Sequence, residues 1–180
     1  HIHLPLQSGS SRILKAMNRR YSKEDYLLLV DKIKAAMPDI SITTDIIVGF
    51  PGENDEDLEE TIDVVRKVGY DSAFTFQYSK RTGTPAASME NQASKEDVTR
   101  RFDKLLKVVQ EVAAERTSRF EGQVMKVLVE EPDTHEEGML TGRLGNNTVV
   151  HFPGDESLIG KIIDVRLDEC KGFYYIGSRV

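Results

Sequence analysis

The first half of the chain contains three short runs in which apolar and polar residues alternate, set between longer runs with helical spacing. Strands are predicted at Ile2 to Leu6, Ile40 to Val48 and Ser72 to Tyr78, where successive side chains face opposite sides. Lys23 to Met37 carries Tyr26, Leu29, Val30, Ile33 and Met37 at helical spacing behind Ser22 as N-cap. Asp55 to Val68 repeats the arrangement with Leu58, Thr61, Ile62, Val65 and Val68, and Gly69 stops it. Its acidic first turn, Asp55-Glu56-Asp57, suits the positive end of the helix dipole. Such alternation predicts βα units around a parallel sheet. Parity divides each strand into two faces. Ile2, Leu4 and Leu6 oppose His1, His3 and Gln7; Ile40, Ile42, Thr44, Ile46 and Val48 oppose Ser41, Thr43, Asp45 and Ile47; Phe74, Phe76 and Tyr78 oppose Ala73, Thr75 and Gln77. The apolar faces, the aromatic one included, are expected against the helices, with the polar faces turned inward as in an incomplete, ligand-holding barrel. An ordinary α/β sheet with a few buried hydroxyls fits the parity equally well.

A long helix is predicted from Lys95 to about Arg119, with Val98, Phe102, Leu105, Leu106, Val109, Val112 and Ala113 on its apolar side. After Gly122 the pattern shortens to five alternating runs: Val124 to Val129, Met139 to Leu144, Thr148 to Phe152, Lys161 to Leu167 and Phe173 to Ile176. Turn signals such as Gly145-Asn146-Asn147 and Pro153-Gly154-Asp155 separate them. Five strands in so short a stretch imply a small, closed or nearly closed β-barrel resembling an OB fold, an architecture often used as a nucleic-acid platform. The fold class is therefore α/β plus all-β, with domains at 1–117 and 118–180.

Composition narrows the function. No apolar run approaches the roughly 20 residues of a membrane helix, and the first residues lack the features of a secretory signal. The start without methionine reads as a truncation. Cys170 is the only cysteine, which rules out an internal disulfide or a site built from several thiolates of this chain and fits a cytoplasmic location. Residues 1–120 hold 18 Lys or Arg against 19 Asp or Glu, whereas residues 121–180 hold 6 against 11. An acidic tail is a poor nonspecific grip on phosphates, so RNA contacts must come from local patches.

Three loops follow the strands at the end where barrel folds build their sites. Leu4-Pro5-Leu6-Gln7-Ser8-Gly9-Ser10 offers Gln7 and Ser8 to a cofactor's polar groups, although from the residues alone Ser8 or Ser10 reads first as a helix cap. In Thr43-Thr44-Asp45-Ile46-Ile47-Val48-Gly49-Phe50-Pro51-Gly52-Glu53, Asp45 ends a polar face and two glycines permit close backbone approach. Glu53 reads either as a ligand for an amine or ribose or as a solvated residue before the helix. No Lys-Ser or Lys-Thr follows Gly52, so a P-loop is rejected. Tyr78-Ser79-Lys80-Arg81-Thr82-Gly83-Thr84-Pro85-Ala86 brings two cations, hydroxyls and a rigid turn to the same rim, fit for a phosphate or nucleotide or simply solvated. His1 and His3 share a strand face without a third metal ligand and read as polar lining; Cys170 reads as structural, and His135 and His151 as isolated.

These stretches, together with Met17-Asn18-Arg19-Arg20-Tyr21, resemble the radical S-adenosylmethionine (SAM) methylthiotransferase family in order and spacing over nearly the whole chain. Leu140-Thr141-Gly142-Arg143 and Gly154-Asp155-Glu156-Ser157-Leu158-Ile159-Gly160 are similar to the family's TRAM domain. The resemblance implies the C-terminal part of an incomplete (β/α) barrel followed by a TRAM barrel. It also implies SAM, two 4Fe-4S clusters with no ligands in this chain, and an electron donor to reduce them. The chemistry implied is reductive cleavage of SAM, hydrogen abstraction from an adenine ring and insertion of a methylated sulfur, with the 1–180 stretch inactive by itself. Ala73-Phe74-Thr75-Phe76-Gln77-Tyr78-Ser79 is most similar to the branch that modifies isopentenyladenosine beside the tRNA anticodon, which makes the anticodon stem-loop the expected partner. Branches acting on threonylcarbamoyladenosine or on a ribosomal protein, and a non-catalytic RNA-binding module, stay open. Gln7, Ser8 and Asp45 are the expected SAM contacts, and Arg81 and Thr84 the expected substrate contacts.

Overall fold

A computed structural model describes all residues from His1 to Val180. The chain divides into two compact units, Ile2–Val112 and Ala113–Val180.

The first unit is a three-stranded parallel sheet, β1 (Ile2–His3), β2 (Ile42–Val48) and β3 (Ser72–Gln77), in that spatial order. The crossovers carry α1 (Ser11–Ala16) with α2 (Lys23–Ala36), and α3 (Asp55–Val68). Both longer crossover helices start at a full capping box, in which the N-cap side chain and the third helical residue satisfy each other's backbone N–H: Ser22 with Asp25, and Asn54 with Asp57. Gly69 ends α3 in the left-handed conformation, φ 63°. Leu58, Ile62, Val65 and Val68 of α3 bury against Leu6, Ile42, Ile46 and Val48 of the sheet side and against Leu105, Val108 and Val109 of α4 (Lys95–Ser118). Within this core Tyr70 donates to the Tyr26 hydroxyl at 2.9 Å, and Tyr26 to the Leu4 carbonyl at 2.8 Å, so both buried hydroxyls are satisfied.

Two expectations about this core need correction. On α2 only Tyr26 and Val30 are buried; Leu29 and Met37 lie exposed, because the sheet is narrow and covers only part of the helix stripe. The aromatic face of β3 does not pack on the helices. The register pairs Asp45 with Phe74 and Ile47 with Phe76, and paired residues of a parallel sheet share a face, so Phe74 and Phe76 stand on the polar side, 54% and 51% exposed. The small Ala73 takes the helix side instead.

The second unit is a closed barrel of β4 (Val124–Pro132), β5 (Met139–Leu144), β6 (Val149–Pro153), β7 (Ile162–Cys170) and β8 (Tyr174–Arg179), ordered β4-β5-β6-β8-β7. All pairings are antiparallel except β6 with β8. Val127, Val129, Leu140, Leu144, Val150, Phe152, Val165, Leu167 and Tyr175 fill it. Bulges between Val129 and Glu131 and between Leu167 and Glu169 bend the two longest strands. The Tyr175 hydroxyl donates to the Thr117 carbonyl, and burial holds its pKa above the usual tyrosine range. No helix is long and apolar enough to cross a membrane.

Candidate functional site

The α/β unit presents one sheet face that no helix covers. From β1 it receives His3, from β2 Thr43, Asp45 and Ile47, and from β3 Phe74 and Phe76. The His3 ring joins the row: Nδ1 lies 2.9 Å from Thr43 Oγ1, Nε2 lies 3.3 Å from Asp45 Oδ2, and the ring stands edge-on to Phe74 at 6.1 Å. A face that mixes aromatic rings with a histidine–carboxylate pair can stack on a flat heterocycle and bind its polar edge.

The loops at the strands' C-terminal ends form the rim of this face. Gln7 takes a left-handed conformation, φ 67°, which lets it bridge onto β2: its N–H donates to the Asp45 carbonyl at 2.8 Å and its carbonyl accepts from Ile47 at 2.9 Å. Ser8 is buried, and its Oγ accepts from the Ser10 N–H at 3.2 Å. Neither serine caps α1 through its side chain; Ser10 Oγ instead donates to Asp57 Oδ1 at 2.7 Å. Gly9 sits so tightly against Thr61 and Glu60 of α3 that a side chain there would meet their backbone.

Asp57 ties this loop to the next one. Besides Ser10 it receives the Arg12 guanidinium, whose Nη2 also donates to the Gly52 carbonyl at 2.8 Å. Burial alone would raise the Asp57 pKa, but bonds from the Asn54 N–H, Ser10 and Arg12 hold it below the usual aspartate range. Beside it, the turn Gly49-Phe50-Pro51-Gly52 is folded around Glu53, whose Oε2 accepts from the N–H groups of Gly49 and Phe50. Glu53 is therefore neither solvated nor aimed at a ligand: it is 8% exposed, and burial pushes its pKa up to about 7. Arg101 of α4 donates to the Glu53 carbonyl at 2.8 Å and to Asp55 at 2.7 Å. Gly49 has φ +80°, and the Val98 side chain occupies the space a Cβ would need. The turn lays Phe50 edge-on against Tyr78 at 5.4 Å, leaving the buried Tyr78 hydroxyl without a hydrogen-bond partner.

Gln7 and Asp45 thus meet through their backbones, and Ser8 follows on the same rim. Arg81 and Thr84 also come together, in an exposed turn where Thr84 Oγ1 donates to the Arg81 carbonyl at 2.8 Å. Thr84 lines an open depression of about 740 Å³ with Lys80, Thr82, Gly83, Pro85 and Ser88; Arg81 does not line it. Sequence reasoning missed Phe74 and Phe76, which it placed in the core, and the clamps Arg12, Asp57 and Arg101. The spacing of Asp57 from Asn54 was a visible capping signal, but nothing local announced Arg12 or Arg101. No cluster of three or more His, Cys, Asp or Glu side chains could hold a metal ion.

A parallel α/β unit with an open polar-aromatic face and a glycine-bearing rim, in one chain with a five-stranded barrel, matches two family models: the radical SAM superfamily over residues 1–65 and the TRAM domain over residues 118–180. The chain is thus similar to the radical SAM superfamily in its first part and to TRAM domains in its last. Along nearly its whole length it is homologous to proteins named tRNA-2-methylthio-N(6)-dimethylallyladenosine synthase. The one from Lachnoclostridium phytofermentans is 60% identical over 99% of this chain and 39% of its own length. Those from Alkaliphilus oremlandii and Acetivibrio thermocellus are 53% and 52% identical over 99% and 100% of this chain, each over 38% of its own length. The chain spans about two fifths of the curated relatives it matches.

Proposed function

We propose that this chain is part of a radical SAM methylthiotransferase that modifies dimethylallyladenosine beside the anticodon of tRNA. The 60% identity over 99% of the chain to a synthase so named is the observation that carries the reading. On this reading it works on tRNA in the cytoplasm and draws on an electron donor. When bound, SAM supplies the methyl group and the means of radical initiation; the protein's share is orientation and exclusion of water.

The residues present fit SAM. The open face offers Phe74 and Phe76 to an adenine ring and His3 with Asp45 to its polar groups, and the rim carries an unspent buried hydroxyl at Tyr78. Gln7, Ser8 and Asp45 are the proposed SAM contacts: Gln7 and Asp45 are locked together by backbone hydrogen bonds, so one ligand can touch both. Arg81 and Thr84, exposed on the loop after β3, are proposed to meet the nucleic-acid substrate. An iron–sulfur cluster does not fit the residues of this chain. Its one thiol, Cys170, is half-buried at the end of β7, and its N–H is spent on Glu121.

The test is to incubate the full-length gene product, SAM and a reductant with tRNA carrying dimethylallyladenosine, and to analyse the nucleosides by mass spectrometry. A methylthiolated dimethylallyladenosine is expected. Modification only of threonylcarbamoyladenosine tRNA, or of a ribosomal protein, would move the protein to another branch. RNA binding with no modification of any of the three would leave only a binding module.

A further inference from the structure

The turn that joins α1 to α2 carries three exposed cations, Lys15, Arg19 and Arg20. Its shape is fixed by the backbone. The Met17 N–H donates to the Ile13 carbonyl at 2.8 Å and that of Asn18, at φ 59°, to the Lys15 carbonyl at 3.0 Å. The Arg19 N–H then returns to the Leu14 carbonyl at 2.9 Å. This reversal buries Ile13 and Leu14 and leaves Lys15, Arg19 and Arg20 in solvent. Tyr21 pins the far end: its hydroxyl lies 3.2 Å from the Pro5 carbonyl and 3.1 Å from that of Leu6, immediately before Gln7 and Ser8. The basic turn is therefore held against the rim of the candidate site.

These cations have no acid to neutralise them. Elsewhere in the α/β unit Arg12 pairs with Asp57, Lys23 with Glu60, Arg66 with Glu111, Lys67 with Asp63, Arg100 and Arg101 with Asp55, and Lys104 with Glu59. The carboxylates that begin α2 are occupied, Glu24 by Ser11 and Asp25 by the Ser22 cap. No ion pair involves Lys15, Arg19 or Arg20. An unneutralised lysine beside two adjacent arginines, on a backbone held at both ends, suits an anion, and the arginine fork suits phosphate oxygens. The barrel, with 6 basic against 11 acidic residues from 121 to 180, is a poor source of such contacts.

We infer that Lys15, Arg19 and Arg20 grip the phosphate backbone of the RNA substrate beside the β1 rim. The inference rests on the RNA reading above and adds a surface to it. The salt dependence of binding separates a phosphate grip from solvated charges. Each phosphate contact adds about 0.7 to 0.9 to the slope of log affinity against log salt, so losing three contacts lowers the slope by about 2 to 3.

The experiment titrates a fluorescein-labelled anticodon stem-loop RNA with the full-length gene product at several salt concentrations, reading anisotropy. It compares the wild type with Lys15→Gln/Arg19→Gln/Arg20→Gln and with a control of equal charge change, Lys32→Gln/Lys95→Gln/Lys107→Gln. The control lysines are exposed and make no ion pair. Expected are at least about tenfold weaker binding at moderate salt and the lower slope for the first variant, with the control within about twofold of wild type. Circular dichroism verifies that both variants are folded. A first variant that binds RNA like the control overturns the grip while leaving the RNA reading intact. A wild type that neither binds nor modifies RNA overturns both.

Discussion

Both units are built from alternating strands, yet the alternation has opposite consequences in them. In the barrel, closure leaves no strand edge, and the inward face is a dry core: Phe152, Val150 and Tyr175 have no exposed surface. In the α/β unit the sheet has one face under helices and one in solvent, and the open face carries Phe74 and Phe76 together with His3 and Asp45. An apolar stripe in the barrel is core. An apolar stripe on β3 is surface, placed where a ligand would find it. Pattern tells how a strand is sided; only its neighbours tell which side is inside.

The strongest way to break this contrast is to remove a ring from the barrel. Phe152→Ala is expected to cost about 3–5 kcal/mol, the range for truncating a buried phenylalanine, because Phe152 is fully buried among Val127, Leu140 and their neighbours. Denaturant unfolding followed by circular dichroism measures it. A loss below about 1 kcal/mol would mean that the barrel interior is not close-packed, and the contrast with the open sheet face would go.

A smaller effect tests the rim. With a folded pKa of about 7 against the ordinary 4.5, Glu53 binds its proton more tightly in the folded chain than in the unfolded one. Its protonation therefore stabilises the fold below about pH 4.5, and that stability is lost as pH rises to about 7, beyond which Glu53 adds no further slope. At about 1.4 kcal/mol per pK unit the full swing is of order 3 kcal/mol. Glu53→Gln can still accept at the Gly49-Phe50 turn but cannot titrate, so its unfolding free energy against pH is expected to be flatter between pH 4.5 and 7 than that of the wild type. Equal slopes in the two proteins would show that Glu53 is hydrated and that the rim turn is as open as the sheet face.

What could be read from the sequence follows the same division. All five barrel strands, and the span of α3 with its buried set Leu58, Thr61, Ile62, Val65 and Val68, follow from periodicity and turn residues alone. In these elements the face that looks apolar is the face that is buried. On β3 that inference fails, because the register Asp45 with Phe74 is set by hydrogen bonding between residues 29 positions apart and not by local pattern. The Asp71 carboxylate, which accepts from the Ile42 N–H at 3.0 Å, helps to fix it. Gln7, Ser8 and Asp45 could be found as polar residues near strand ends. Arg12 and Arg101 could not, since each acts through a partner about 45 residues away, Asp57 for the first and Asp55 for the second.

The smallest expected effect on stability is the sharpest test of the comparison. Phe74 and Phe76 are each about half exposed, and their removal takes away little buried surface. Phe74→Ala/Phe76→Ala should change the unfolding free energy by less than about 1 kcal/mol, in contrast to the single Phe152 change. If the open face takes an adenine ring, the same double variant should weaken SAM binding about tenfold or more, since a lost aromatic stack costs on the order of 1–3 kcal/mol. Isothermal titration of the full-length gene product with SAM reads the second effect, and denaturant unfolding reads the first. A large stability loss with unchanged SAM affinity would make these rings part of a packed interior, and the two units would then differ in topology alone. A small stability loss with a large affinity loss keeps the distinction: one sheet folds its aromatic residues away to make a core, and the other holds them out to make a site.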